Sequence, residues 1–548
     1  MMRDNRLKRL AALSLIVLFV GVTFSSLLAD KEEIYRSIRK NFTLFNRIYE
    51  AVSTRYVEEV SIDELMQASI KGMLTTLDPY TQYMKKRHYD ELKIGTKGKF
   101  EGLGINIGIR SGVLTVISPI EGTPAHRIGI QAGDKIVKIE GESTKGFTTA
   151  KAASILRGPK GTQVTITIER EGVLEPIDYT ITRDLIEVKS VSYAGVLGDS
   201  IGYIRLRKFS KRSGQEVKKA LEKVLEQGVK GLIFDLRMNS GGLLSQAVDV
   251  TDKFLPKGKL IVSTKGRGGA NEVAFLAQED PVYGHKPLVV LVDKGSASAS
   301  EIFAGAIQDW DRGLIVGTLT FGKGLVQSIL PLGSEEALKI TTAKYYTPSG
   351  RCIQKDDADE KEAEKEQFHT ESGRVVYAGG GITPDIEVEA PKLIRLESDL
   401  LRKGMFLAFA AHYTAAHPDL SPDFEVTDEM LTEFKGFVEE KGLSYEAAGL
   451  SEVENLRKIS QREHYSPAVD GLLDDLERQI EAEKERGFDR SREFIKWRLR
   501  AQIALDLWGA EKETEIRLRH DPQVAAAIEL LNHLDLYYNN LAAANEED

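Results

Sequence analysis

The stretch "DKGSASASEIFAGAIQDW", residues 293–310, places three serines at alternate positions directly before an apolar helical pattern. It follows "KPLVVLV", residues 286–292, which contains an uninterrupted apolar run of strand length. A buried strand that turns into a helix is typical of a parallel α/β sheet, and functional sites on such sheets lie beyond the carboxyl ends of the strands. The sequence therefore places these hydroxyl groups where a site is expected.

The same alternation of strands and helices extends from Ile186 to about Glu389. The apolar runs of strand length are "IGYIRLRKF", "GLIFDLR", "PLVVLV" and "GLIVGTL", with helical patterns between them. The glycine pair of "NSGG", Gly241 and Gly242, follows the second of these strands, so it shares one edge of the sheet with the serines. This pattern predicts a largely parallel α/β core.

Ser298 has two interpretations. Ser-x-x-Glu ahead of an apolar helix is a capping box, with Glu301 as its second member. A helix N-terminus also presents unpaired N–H groups and a positive dipole end, which favour a developing oxyanion. A serine nucleophile needs a base, and the nine histidines do not obviously supply one. The nearest, His285, precedes the buried strand and is expected at the opposite end of the sheet.

A lysine is the other candidate base. "TLTFGKGLVQSILPL" places Lys323 between two glycines, after the strand "GLIVG". Lysine acts as a base only if burial or a positive neighbour lowers its pKa from about 10.4, and the apolar neighbours Phe321, Leu325 and Val326 are candidates for that burial. Gln327 lies four residues on, where its side chain is able to hold the amine. The alternatives are a surface lysine in a glycine turn and an exposed strand glutamine.

Residues 98–185 are rich in short β-branched runs bounded by glycines. The region opens with "FEGLGINIGI" and continues with "SPIEGTPAHRIGIQAGDKIVKIEG". It resembles a PDZ domain, whose carboxylate-binding loop is matched by Gly102, Leu103, Gly104 and Ile105. Glycines let consecutive N–H groups converge on a terminal carboxylate, and the strand after them pairs with an extended peptide. A glycine-permitted hairpin is the alternative for this tetrapeptide alone.

The length predicts a multidomain protein, and the charge and cysteine content exclude several kinds of site. Its 548 residues predict about three or four domains. A net charge of -9 gives no electrostatic signature of nucleic-acid binding. Cys352 is the single cysteine, which excludes an intramolecular disulfide and a zinc site made of cysteines. We expect it to be buried and without a catalytic role.

The N-terminus predicts an export signal, and a buried core helix is the alternative. Basic residues precede "LAALSLIVLFVGVTFSSLLA", residues 10–29, which has no charge. Such a segment is a signal peptide or, if uncleaved, a membrane anchor. The chain is therefore expected in the bacterial periplasm or at the outer face of the inner membrane.

"GSASASEIFAGAIQDW" followed by "GTLTFGKGLVQS" resembles the carboxy-terminal processing proteases, also called tail-specific proteases. The resemblance implies a serine–lysine dyad, with Ser298 as the nucleophile, Lys323 as the general base and Gln327 positioning the lysine. It also implies an oxyanion hole made by the N–H groups of Ala299 and Gly242. No metal or organic cofactor is implied.

The family also implies a fold and a domain order. The expected fold is a crotonase/ClpP-like α/β core with an inserted β-rich PDZ domain and helical regions at both ends. The predicted divisions are a signal segment, a helical N-terminal region, the PDZ domain, the protease core and a helical C-terminal extension of unassigned role, at residues 1–29, 30–97, 98–185, 186–389 and 390–548.

The implied partners are protein substrates with exposed, apolar C-terminal tails, together with an activator or adaptor protein. Self-association through the helical termini is a further hypothesis. Two other functions stay open: a PDZ scaffold whose protease core is inactive, and an α/β enzyme of the acyl-CoA hydratase type. The export signal and the PDZ domain argue against the second, because acyl-CoA chemistry is normally cytoplasmic.

Overall fold

The computed structural model describes residues 32–198, 200–355 and 366–542. They form two compact units. The first contains the described residues up to 85 together with 329–341, and the second contains 86–328 and the residues from 342 onward. No helix within the described ranges is long and apolar enough to cross a membrane. The predicted export segment lies outside them.

The strands, in chain order, are β1 (Gln82–Met84), β2 (Lys99–Gly102), β3 (Ile105–Arg110), β4 (Val113–Pro119), β5 (Lys135–Ile139), β6 (Glu142–Ser143), β7 (Gln163–Glu169), β8 (Ile177–Thr182), β9 (Asp184–Glu187), β10 (Val191–Leu197), β11 (Ile201–Leu206), β12 (Gly231–Asp235), β13 (Leu260–Lys265), β14 (Val273–Leu276), β15 (Leu288–Val292), β16 (Leu314–Gly317), β17 (Leu325–Pro331), β18 (Ala337–Tyr346), β19 (Gln367–His369), β20 (Val375–Tyr377) and β21 (Ile386–Glu387).

The helices are α1 (32–55), α2 (Ile62–Leu74), α3 (Lys86–Lys97), α4 (Pro124–Arg127), α5 (Thr149–Leu156), α6 (Ser213–Glu226), α7 (Leu244–Asp252), α8 (Ala299–Asp309), α9 (Arg395–Arg402), α10 (Met405–Ala416), α11 (Asp428–Glu440), α12 (Leu450–Arg462), α13 (Pro467–Glu485), α14 (Gly487–Arg490), α15 (Arg492–Leu518), α16 (Pro522–Asn532) and α17 (Leu534–Leu541).

The first unit is mainly helical. Helix α2 begins after Ser61, whose hydroxyl accepts from the N–H of Glu64 at 3.3 Å and so caps the helix. The hydroxyl of Tyr49 on α1 donates to the carbonyl of Ile62 at 2.7 Å, which joins the two helices. Strand β1 pairs antiparallel with the first residues of β18.

The α/β core in the second unit is built on a six-stranded sheet. Its order is β10-β11-β12-β15-β16-β21, and every pair is parallel except β10 with β11. Strands β12 and β15 are buried along their whole length. Parallel strands covered on both faces read as continuous apolar runs, which is why the sequence pattern identified them. The predicted parallel α/β core is confirmed.

Different parts of the chain cover the two faces of this sheet. Helices α6, α7 and α8 pack on one face, around Phe234 and Phe303. Helices α16 and α17 pack on the other, where Leu531 and Tyr537 lie against Ile233 and neighbouring strand residues. The last helices of the predicted C-terminal extension are therefore a layer of the α/β core.

The PDZ region is a separate sheet of order β3-β4-β5-β7-β8, with β6 paired to β5 and α5 packed beside β3. Its core contains Val116, Ile136 and Ile166, all fully buried. Strand β3 lies at the edge of the sheet. The antiparallel pair β2–β9 brings the two ends of the region together, so the domain is an insertion between neighbouring positions.

Helices α9, α10, α11 and α15 form a further apolar cluster, in which Phe434 stacks on Phe406 and meets Phe409 edge to face. Helix α15 spans 27 residues, and its backbone is interrupted at Gly509, with φ 84° and ψ -177°. Its first half packs in this cluster, while Leu518 at its end packs against the six-stranded sheet. The helix thus connects the helical region to the α/β core.

Candidate active site

Ser298 lies in the sharp turn between β15 and α8. Its backbone has φ 56° and ψ -110°, a conformation that residues with a side chain rarely adopt. A strained strand-to-helix turn that carries a serine is the geometry of a nucleophile elbow, which exposes the hydroxyl at the end of the sheet. The position at the start of α8 also places the serine beside unpaired helix N–H groups.

The other two serines of the run hold this turn in place. The hydroxyl of Ser296 donates to the carbonyl of Leu236 at 2.9 Å and accepts from the N–H of Asp293 at 3.0 Å. The hydroxyl of Ser300 donates to the carbonyl of Asn239 at 2.8 Å. Both bonds reach the loop after β12, so the serines join the nucleophile turn to the glycine pair.

Neither position of the glycine pair has room for a side chain. A Cβ on Gly241, where φ is 91°, would lie 2.9 Å from the nitrogen of Ala299 and 3.0 Å from the Cβ of Ser298. A Cβ on Gly242 would lie 2.1 Å from the carbonyl oxygen of Phe209. Both positions therefore require glycine for a physical reason, a close backbone approach.

Two N–H groups are available at this approach. Within the described part of the chain, neither the N–H of Ala299 nor that of Gly242 donates a hydrogen bond to another residue. The N–H of Gly241, in contrast, donates to the side-chain oxygen of Asn239 at 2.9 Å. The geometry thus offers Ala299 and Gly242 as donors to an oxyanion.

Asn239 organises this loop, although the sequence motifs did not single it out. Its side-chain amide donates to the carbonyl of Leu206 at 2.8 Å, and its own carbonyl accepts from the N–H of Ala297 at 3.0 Å. The residue is fully buried. A polar amide four residues after a buried strand was the available signal, because such a group is buried only when it has partners.

Glu301 joins the serine turn to the lysine loop. Its fully buried carboxylate accepts from the N–H groups of Ser298, Gly322 and Lys323 at 2.7, 2.7 and 3.0 Å, and from the hydroxyl of Thr320 at 2.6 Å. Burial raises the pKa of the Glu301 carboxyl, and the hydrogen bonds oppose that rise. The capping interpretation and the catalytic interpretation of Ser298 are therefore compatible, because the same carboxylate caps the turn and fixes the loop.

Tyr345 on β18 makes a second connection between the two loops. Its hydroxyl contacts the carbonyl oxygen of Ser298 at 3.1 Å and also that of Lys323. Complete burial raises the pKa of Tyr345 well above its usual value, so the hydroxyl stays a neutral donor. An aromatic residue in "KYYTPSG" carries no sequence signal for this role.

The structure therefore brings the backbones of Ser298 and Lys323 together. The Lys323 side chain is half-buried, and Leu325 beside it is 9% exposed. Phe321 is 48% exposed, and its part in burying the lysine stays a prediction. Gln327 lies half-buried on β17. Its hold on the lysine amine stays a prediction.

The loop Gly102–Ile105 joins β2 to β3 in the PDZ region. Gly104 has φ 80°, and a Cβ there would lie 2.3 Å from the Cβ of Thr123. Among the described residues, the N–H groups of Leu103 and Gly104 donate to no other residue. Two unused N–H groups beside an edge strand suit a peptide that ends in a carboxylate.

The remaining candidates lie elsewhere. His285 comes before β15, at the opposite end of the sheet from Ser298. No group of three or more His, Cys, Asp and Glu side chains in the described ranges is arranged to hold a metal ion. Cys352 is only half-buried, contrary to the expected burial.

An α/β core with a serine on a strained turn, two adjacent glycines beside it and a lysine loop held by one carboxylate is typical of the class of serine hydrolases. Comparisons with known proteins narrow the class. Residues 200–388 match the description "Peptidase family S41", residues 115–170 "PDZ domain", residues 396–531 "Probable PDZ-protease, C-terminal helical domain", and residues 23–88 "Activating protease CtpB N-terminal domain". The PDZ match begins after the Gly102–Ile105 loop.

Several similar proteins are named as C-terminal processing proteases. A carboxy-terminal-processing protease of Bartonella bacilliformis is 42% identical over 382 residues, which are 69% of this chain and 80% of that protein. The carboxy-terminal processing protease CtpA of Bacillus subtilis is 37% identical over 315 residues, 57% of this chain and 67% of that protein. A solved structure titled photosystem II D1 C-terminal processing protease is 28% identical, covers 68% of this chain and 98% of its own, and has a TM-score of 0.36.

The chain belongs to the carboxy-terminal processing proteases of peptidase family S41. It is a protease with an S41 core, a PDZ domain, a helical N-terminal region and a helical C-terminal domain.

Proposed function

We propose that this protein is a serine endopeptidase that cleaves near the C-terminus of protein substrates with a Ser298–Lys323 dyad. One observation carries the proposal. A single buried carboxylate, that of Glu301, accepts hydrogen bonds from the N–H groups of both proposed dyad residues. The strained turn and the lysine loop are thereby held together at the carboxyl end of the sheet.

The chemistry follows from the proposed roles. Neutral Lys323 takes the proton of Ser298 as its Oγ attacks the peptide carbonyl. The N–H groups of Ala299 and Gly242 stabilise the tetrahedral oxyanion, and Lys323 returns the proton to the leaving amine. Water activated by Lys323 then hydrolyses the acyl-enzyme. Gln327 orients the amine by a side-chain hydrogen bond. No metal or organic cofactor takes part.

The PDZ domain selects the substrate in this proposal. The terminal carboxylate of a substrate tail binds the N–H groups of the Gly102–Ile105 loop, and the tail pairs with the free edge of β3. We expect the tail to end in apolar residues. An activator or adaptor protein controls access to the site, and the enzyme works in the cell envelope, to which residues 1–29 direct it.

Self-association is part of the same proposal. Apolar residues recur on α1 at alternating spacings of three and four, which is the pattern of a coiled-coil seam: Tyr35, Ile38, Phe42, Phe45, Tyr49 and Val52. Tyr35, Ile38 and Phe42 are at least half exposed. A second copy of α1 is the matching occupant, because a heptad seam is complementary to itself. The apolar faces of α16 and α17 are already buried against the protease sheet.

Cleavage of an unstructured protein with an apolar C-terminal tail tests the function. We expect the full-length enzyme to release fragments near the C-terminus, as read by mass spectrometry. Ser298→Ala and Lys323→Ala should each abolish cleavage, because nucleophile and base act as a unit. Lys294→Ala, at an exposed position four residues before the serine, is the matched control. Full activity in Ser298→Ala would refute the dyad, and binding without cleavage by the wild type would favour the PDZ scaffold.

A further inference from the structure

Arg237 occupies the start of the loop that carries the proposed oxyanion glycine. It comes two residues after the end of β12 and five residues before Gly242. Its guanidinium donates to both carboxylate oxygens of Asp235, at 3.0 and 2.7 Å. The backbone N–H of Arg237 also donates to Asp235, at 2.8 Å. Asp235 is fully buried and also accepts from the hydroxyl of Tyr203 at 2.5 Å. One side of the arginine is therefore fixed by the sheet.

Residues far along the chain, at the start of α16, hold the other side of the guanidinium. Its Nη1 lies 2.7 Å from one carboxylate oxygen of Asp521 and donates to the other at 3.0 Å. The same Nη1 donates to the side-chain carbonyl of Gln523 at 2.8 Å. The Arg237 side chain is only 12% exposed, so these contacts are largely shielded from solvent. Charge-assisted bonds of this kind are the stronger class of hydrogen bond.

Both acceptors are themselves fixed. The Asp521 carboxylate caps α16 by accepting from the N–H groups of Gln523 and Val524 at 3.0 and 3.3 Å. The buried side chain of Gln523 donates to the carbonyl of Val388 at 2.6 Å. Arg237 is thus held between two rigid elements, the sheet and the N-terminus of α16.

The anchored arginine precedes a strained and connected loop. Met238 has φ 58°, unusual for a residue with a side chain, and its N–H donates to Asp293 at 2.8 Å. Asn239 follows, and its hydrogen bonds reach Gly241 and the nucleophile turn. A strained loop keeps one conformation only when its ends are held. The hydrogen bonds of the Arg237 guanidinium fix the first end of this loop.

We propose that Asp521 and Gln523 of the C-terminal helical region are positioning residues that anchor the oxyanion loop, residues 237–242, through Arg237. The inference rests on the proposed function, because the loop matters for catalysis only if Gly242 donates to the oxyanion. The C-terminal region would then help to set the position of the oxyanion donor Gly242, in addition to any role in assembly.

Two measurements on the full-length enzyme test the inference. Asp521→Asn keeps a good helix cap but removes the charge that faces Arg237. The second variant combines Asp521→Asn with Gln523→Leu. The control is Asp535→Asn, at an exposed position on α17. Hydrogen exchange of residues 238–243 should be about tenfold faster or more in the double variant. The value of kcat should fall about tenfold with KM unchanged, because only transition-state contacts are displaced.

The outcomes separate the inference from the proposed function. Unchanged exchange of the loop in both variants overturns the inference, whatever the activity. Faster exchange with unchanged kcat also overturns it, because the loop would then not position a catalytic group. If the wild-type enzyme cleaves no substrate, the proposed function fails, while the exchange measurement still decides whether α16 holds the loop. Arg237→Lys should reproduce the loss of kcat, since an ammonium cannot make the forked contacts of a guanidinium.

Discussion

At the scale of single residues, the active site depends on backbone positions that a side chain or a lost acceptor would disturb. Gly241 and Gly242 lie where any Cβ would collide with backbone atoms. Glu301 uses both carboxylate oxygens: one accepts from Thr320 and Gly322, the other from Ser298 and Lys323. An isosteric amide cannot reproduce this pattern, since its NH₂ group would face two N–H donors.

Glu301→Gln is therefore expected to damage both stability and activity. Leaving buried donors unsatisfied should lower the free energy of unfolding by about 1–3 kcal/mol. Displacement of the lysine loop should lower kcat/KM by roughly 10- to 100-fold. Urea unfolding and cleavage kinetics measure the two effects. Glu226→Gln, at an exposed position on α6, should change neither. A Glu301→Gln enzyme with wild-type kinetics would show that the carboxylate does not position the dyad.

At the scale of elements, α15 contains a buried acid that makes stability depend on pH. One oxygen of Asp506 is buried with no hydrogen-bond partner among the described residues, and the other accepts from Gln502 at 3.4 Å. Burial raises the pKa of Asp506 to about 7. Between its unfolded value of 3.8 and about 7, the folded state binds one proton more than the unfolded chain. Stability is thus lost as the pH rises through this window.

Asp506→Asn removes the titrating group and should remove this loss. The free energy of unfolding of the variant, relative to the wild type, should increase by about 1–3 kcal/mol between pH 5 and pH 8. Urea unfolding at both pH values measures it. The exposed Asp419→Asn provides the control, with no such pH-dependent difference. A parallel shift of wild type and Asp506→Asn with pH would place the pKa of Asp506 near its ordinary value.

At the scale of the whole molecule, the apolar seam on α1 predicts a dimer. Phe42→Glu puts a charge into the seam and should convert the dimer to a monomer at micromolar concentration, because a buried unpaired charge is costly. Leu44→Glu is the matched control, since Leu44 is similarly exposed but lies off the seam. Light scattering of the full-length protein gives the mass. A wild-type monomer at tens of micromolar would rule out the seam as an interface.

The sequence by itself determined the parallel core, the PDZ insertion and the positions of Ser298, Lys323 and the glycine pair. These are local signals: a continuous apolar run marks a doubly covered strand, and a serine or glycine after such a strand falls at the catalytic edge. The helical nature of the C-terminal region was also readable from its periodicity.

Only the tertiary structure decided which distant residues hold that site together. Glu301 was readable as a cap, but its bonds to the lysine loop depend on how two βα loops meet. Tyr345, Asp521 and Gln523 reach the site from other elements. Asp521 and Gln523 lie 284 and 286 positions after Arg237 in the chain. Hydrogen bonds between residues so far apart in the chain leave no periodicity or spacing in the sequence, because the fold alone sets their distance.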